Sequence, residues 1–104
     1  MNPNIPADYH ETGHWLEGFV RSHAKLENPR IEVILDIAGA REGRTYGVRL
    51  TLDGRVYPPP GSPPLELEFR AVAEGRTRFA WCAALAERIR TAARELLGTA
   101  RSAS

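Results

Sequence analysis

Cysteine is nearly absent from this sequence of 104 residues: Cys82 stands alone, so no intrachain disulfide can close and no multi-cysteine zinc site can assemble. A lone thiol suits a reducing compartment. Lysine is equally scarce, Lys25 being the only one among 14 basic residues, with arginine in every other place. That bias fits GC-rich coding and leads us to expect a bacterial source. Acidic residues number 13, so the formal net charge is +1, which argues against a strong general field for nucleic acid or acidic lipid. No stretch approaches the roughly 18–20 consecutive apolar residues that a membrane span requires. The segment Met1–Pro6 has neither a basic start nor an apolar run, so no signal peptide and no membrane partner are expected. The expected location is the cytoplasm.

What is present reads as one globular domain. The length fits a single core, and apolar and charged fractions of 42% and 26% lie in the range of folded domains. Pro3 and Pro6 among small polar residues predict a loose arm over 1–7. Asp8 can cap a helix that runs to about Glu27 and stops at Asn28-Pro29. Spacing at 100° per residue puts Thr12, Trp15, Leu16, Phe19, Val20, His23 and Leu26 on its apolar side. Ile31, Val33, Leu35 and Ile37 then alternate with Glu32, Ile34, Asp36 and Ala38, as a half-buried strand does. Tyr46, Val48, Leu50 and Leu52 repeat the pattern. Asp53-Gly54 is a tight-turn signal, and Arg55–Tyr57 is a candidate fourth strand. The proline run Pro58–Pro64 cannot supply ladder donors and must be a surface connection.

A further strand is expected from Leu65 to Ala73, with Leu65, Leu67, Phe69, Ala71 and Ala73 on one side. The last helix is predicted to start near Thr77, to bury Phe79, Cys82, Leu85, Ala86, Ile89, Ala93, Leu96 and Leu97, and to end at Gly98. The tail 99–104 is small and polar. The fold class is therefore α+β: helix, three antiparallel strands with a candidate fourth, helix, within 8–98. Both helices are expected on the same apolar face of the sheet.

The sharpest motif is His10-Glu11-Thr12-Gly13-His14, which satisfies H-E-x-x-H. Two histidines one helical turn apart can ligate zinc, and the glutamate between them can take a proton from metal-bound water. In that reading His10 and His14 are ligands, Glu11 is the catalytic base, and Glu17 is the same-face candidate for a further ligand. The helical wheel opposes it, because both histidines fall on the side away from the apolar stripe, near Arg21 and Lys25. No cofactor is expected outside this zinc alternative.

The element order also resembles, in topology alone, the double-stranded-RNA-binding domain, whose last helix carries basic residues at its N-terminus. The resemblance implies phosphate contacts at Arg76 and Arg78. The family's lysine pattern is absent here, and the near-neutral charge weighs against nucleic acid. Trp81, Tyr46 and Tyr57 are candidate aromatic anchors for a protein interface. Ile34 and Val72, projecting from an otherwise polar sheet face, are candidates for a dimer contact. Cys82 reads as a small core residue. The expectation is a small binding module for a protein partner or a second copy of itself, not an enzyme.

Overall fold

The computed structural model describes residues 6–102, with side chains as far as Gly98. Residues 1–5 of the expected arm, residues 103–104 of the expected tail and the side chains of 99–102 lie outside the described residues.

Helix α1 (Tyr9–Glu27) has the bounds its sequence predicts. No side chain caps its first turn: the Thr12 N–H donates to the Asp8 carbonyl at 2.8 Å, and the Asp8 carboxylate makes no capping bond. Asn28 turns extended before Pro29, which disfavours helical backbone in the residue ahead of it. The buried face consists of Tyr9, Thr12, Gly13, Leu16, Val20 and Ala24. Relative to the predicted stripe it is rotated, so Trp15, Phe19 and His23 are only half-buried and Leu26 is 71% exposed.

Four strands make one antiparallel sheet: β1 (Glu32–Asp36), β2 (Thr45–Leu52), β3 (Arg55–Tyr57) and β4 (Leu65–Glu68). The long strand β2 is central. On one side Ile34 of β1 pairs with Arg49; on the other, β3 pairs with Leu50–Leu52 and β4 pairs with Thr45–Val48, end to end. Asp53 and Gly54, both with positive φ (51° and 83°), form the two-residue turn between β2 and β3. The candidate fourth strand at Arg55–Tyr57 is thus present.

The strand expected from 65 to 73 stops at Glu68. Phe69–Gly75 is instead a short helix, α2. The reason lies in the partner strand: Glu68 pairs with Thr45, the first residue of β2, and the Phe69 N–H donates to the Arg44 carbonyl just before it. Beyond that point there is no ladder to join. Helical backbone satisfies the same amides within the segment.

Helix α3 (Phe79–Ser102) passes through Gly98, where an end was expected, and turns Leu85, Ile89, Ala92, Ala93 and Leu96 inward. Phe79, assigned to the core by its spacing, is 89% exposed. Helices α1 and α3 cover the same sheet face, α1 beside β1 and α3 beside β2 and β3. They run parallel: Trp15 lies near Trp81 at one end, and Glu27 accepts from Arg90 and Arg94 at the other. No helix among the described residues is long and apolar enough to cross a membrane.

Candidate functional site

The H-E-x-x-H residues fall on the outer side of α1. His10, Glu11 and His14 are exposed, whereas Thr12 and Gly13 between them are buried. His10 rests edge-on against Tyr9, with ring centroids 5.3 Å apart, and Glu17 is engaged by Arg21 one turn along. A catalytic zinc needs three protein ligands in a walled site. Among the described residues, no group of three or more His, Cys, Asp or Glu side chains converges anywhere to hold a metal.

Arg76 and Arg78 belong to the connection between α2 and α3. Arg76 caps α2 and is half-buried; Arg78 is exposed, and its N–H donates to the Gly75 carbonyl at 2.8 Å. The same end of the molecule holds a shallow cleft of about 550 Å³ lined by Pro6, Arg44, Phe69 and Arg70, with Glu68 among them. Glu68 shares this lining with Arg44 and Arg70, so the basic groups there are partly offset.

Of the expected interface residues, Tyr46 and Val72 are fully buried and cannot serve as surface anchors. Val72 turns inward because its segment is helical. The Tyr46 ring stacks on Tyr9, with centroids 4.7 Å apart and planes 8° from parallel, and its hydroxyl donates to the Tyr9 carbonyl at 2.7 Å. The Tyr9 hydroxyl donates to the Thr45 carbonyl at 2.6 Å and reaches that of Arg41 at 3.2 Å. Burial pushes both phenols above the ordinary value of 10.0. This pair ties the start of α1 to β2 and is structural.

Tyr57 is half-buried beside α3 in a cleft that includes Glu87 and Arg88. Ile34 is 43% exposed on β1, an edge strand, between Glu32 and Asp36. Antiparallel pairing of β1 with a copy of itself about Ile34 would set Glu32 opposite Asp36. Like charges directly opposed destabilise a ladder, so this edge disfavours its own copy.

On the open sheet face Arg41 lies across Gly47, where a Cβ would come within 2.7 Å of its Nε. Its guanidinium is held by Asp36 at 3.1 Å and by Glu66. Arg49 sits at the gap between β3 and β4 and donates to the carbonyls of Pro58, Pro59 and Ser62 at 2.8, 3.0 and 2.9 Å. A proline-rich loop has few amides of its own to satisfy those carbonyls, and the arginine supplies the donors.

The surface that stands out is aromatic and lies along α1 and the start of α3. Trp15 and Phe19 stack with centroids 5.1 Å apart, Phe19 approaches His23 at 4.5 Å, and Trp15 lies 6.4 Å from Trp81. Trp81, the one expected anchor in this group, is half-buried against Gly75. Trp15, Phe19 and Trp81 pack against the core with one side and keep the other toward solvent, while Phe79 and Leu26 are exposed. The signal in the sequence was the width of the α1 stripe: apolar residues from Tyr9 round to Trp15 span more of the wheel than one sheet can cover. Comparison with family models, with curated proteins and with solved structures finds no match to this chain.

Proposed function

We propose that the chain is a small cytoplasmic protein-interaction module whose contact surface is the outer side of α1 together with the first turn of α3. The observation that carries this reading is the exposure of Phe79, at 89%, and Leu26, at 71%, alongside the half-exposed Trp15, Phe19 and Trp81. Fully burying a phenylalanine or leucine side chain contributes about 1.5–3 kcal/mol, and here that gain is left unused by the fold. Aromatic residues at the centre of a patch are the usual anchors of an interface. The partner is a protein with an apolar helix or groove, or a second copy of this chain.

The test is to replace Phe79 and Trp15 together by Ser and Ala. Tagged wild-type protein and the double variant are compared in pull-downs from the native host, with circular dichroism checking the fold. A partner retained by wild type and lost by the variant supports the reading. Identical recovery by both would remove the patch from consideration.

A further inference from the structure

Glycine within a helix is unfavourable, and in this molecule Gly13, inside α1, and Gly75, the last residue of α2, each have an evident reason. A Cβ on Gly13 would come within 2.9 Å of Tyr46 Cε1, and one on Gly75 would overlap the Trp81 indole. Gly18, in the middle of α1, is different: nothing lies within 4 Å of where its Cβ would be. Gly98 is as open, but it lies near the end of α3, where the cost is smaller.

Gly18 contributes to the floor of a groove on the outside of α1, lined by His14, Trp15, Gly18, Phe19 and Ser22, with a volume of about 430 Å³. Ser22 is one turn beyond Gly18, so two small residues are stacked on one helix face. Trp15, Ser22 and Leu26 fall on that face at intervals of one or two turns. A dimple flanked by large aromatic knobs is the shape that lets a second helix approach closely.

We infer that this face pairs with the same face of a second copy, α1 against α1 in antiparallel orientation. The inference rests on the α1 part of the interaction reading above and names the partner of that face. Two features favour a copy. The first is shape: with the two-fold axis between Gly18 and Phe19, Trp15 falls opposite Ser22 of the second copy and Ser22 opposite its Trp15, while Gly18 leaves room for the two backbones to approach. The large ring thereby meets a small residue twice over, as a self-complementary contact requires.

The second feature is charge. Along the outer side α1 carries Glu11 and Glu17 in its N-terminal half, then Arg21 and Lys25 in its C-terminal half. Antiparallel pairing brings Glu11 beside Lys25 of the second copy and opposes the two helix dipoles favourably. Lys25 now bonds the Pro29 carbonyl at 2.8 Å and Glu32 at 3.3 Å, on an exposed surface from which it can turn. A parallel pair would instead align like charges. The contact is confined to one helix, so the dimer belongs to the small, weak class of interfaces, with a dissociation constant on the order of micromolar or above.

The experiment is sedimentation equilibrium of the full chain from about 10 μM to about 1 mM, a range that brackets such a constant. The wild type is compared with Gly18→Gln, Glu11→Lys, Lys25→Glu and the double reversal. Gly18→Gln fills open space with a better helix former, so it keeps the fold, which circular dichroism verifies. It should weaken self-association by about tenfold or more. Each single charge reversal should weaken the dimer, and the double reversal should restore it. A wild type that stays monomeric throughout overturns the inference, as does a dimer indifferent to Gly18→Gln or one that the double reversal fails to restore. If the chain is monomeric yet loses a different partner on the Phe79 and Trp15 substitutions, the self-pairing fails and the interaction reading stands. If neither is seen, both fail.

Discussion

Replacing Gly75 by alanine tests the packing logic most directly. The new methyl would sit 2.5 Å from Trp81 Cγ and closer still to Cδ2 and Cε2. No rotation of a methyl relieves that overlap, so the indole must leave the α2 end or the backbone must move. Trp81 is half-buried, so roughly 100 Å² of its surface returns to water; at about 25 cal/mol per Å² this is about 2.5 kcal/mol. Helix propensity offsets up to about 1 kcal/mol of that, less at the last residue of a short helix. A net loss of about 1.5–2.5 kcal/mol follows, or roughly a 10 °C fall in melting temperature for a domain of this size.

Urea unfolding followed by tryptophan fluorescence gives the stability, and the native emission should shift to the red as the indole is exposed. The internal control is Gly18→Ala, which meets open space and should stabilise the monomer by up to about 1 kcal/mol when measured in dilute solution. A further check is the double-mutant cycle: in a Trp81→Ala background, Gly75→Ala should cost nothing, because the clashing ring is gone. Gly75→Ala as stable as wild type, or a cycle with no coupling, would refute the reasoning.

Three other outcomes can be measured. Both buried phenols are pushed above 10.0, so the folded state holds protons that the unfolded chain releases; stability is intact below about pH 10 and declines as pH rises toward the folded values. Tyr46→Phe should cost about 1 kcal/mol at neutral pH through the lost bond to the Tyr9 carbonyl, and should flatten the alkaline decline seen in urea unfolding. Hydrogen bonds from Arg90 and Arg94 hold the Glu27 carboxyl below its ordinary 4.5, so its contribution is present above that pH and lost as pH falls through the lowered value. Thermal melts of Glu27→Gln should therefore differ from wild type near neutrality and converge on it in acid. Calorimetric titration with zinc should show no stoichiometric site of submicromolar affinity at His10 and His14. Tight binding abolished by His10→Ala with His14→Ala would reverse the surface assignment of those residues.

Much of this architecture is written in local pattern. Tyr9–Glu27, the alternation in Ile31–Ile37 and Tyr46–Leu52, and the Asp53-Gly54 turn are short-range signals, and each element formed where its pattern lies. The differences have two causes: local pattern reveals neither how far a neighbouring strand extends nor how closely two backbones pack. Leu65–Ala73 alternates well enough for a strand, yet β2 begins at Thr45 and offers nothing to pair with beyond Glu68. Phe79 has the spacing of a core residue but lies in the first turn of α3 and stays in solvent. The buried face of α1 lies part of a turn from its hydrophobic stripe, because Gly13 and Ala24 are buried by close packing that the pattern of large apolar residues does not register. That same rotation leaves Trp15 and Phe19 only half-buried, a consequence of packing that the sequence pattern alone does not carry.

The gap in the ladder opposite Arg49 has a consequence for how this chain tolerates change. Strands β3 and β4 each take their register from β2 independently, and the seven residues of Pro58–Pro64 only bridge them. Residues 59–63 face solvent, and lengthening such a connection adds only about 0.6 kcal/mol of closure entropy per doubling. The tip between Pro59 and Ser62 is therefore the natural graft point of the fold. A peptide tag or a small folded insert placed there would leave both half-strands in register, while the Arg49 guanidinium keeps the Pro58 carbonyl, at the root of the graft, anchored to the sheet.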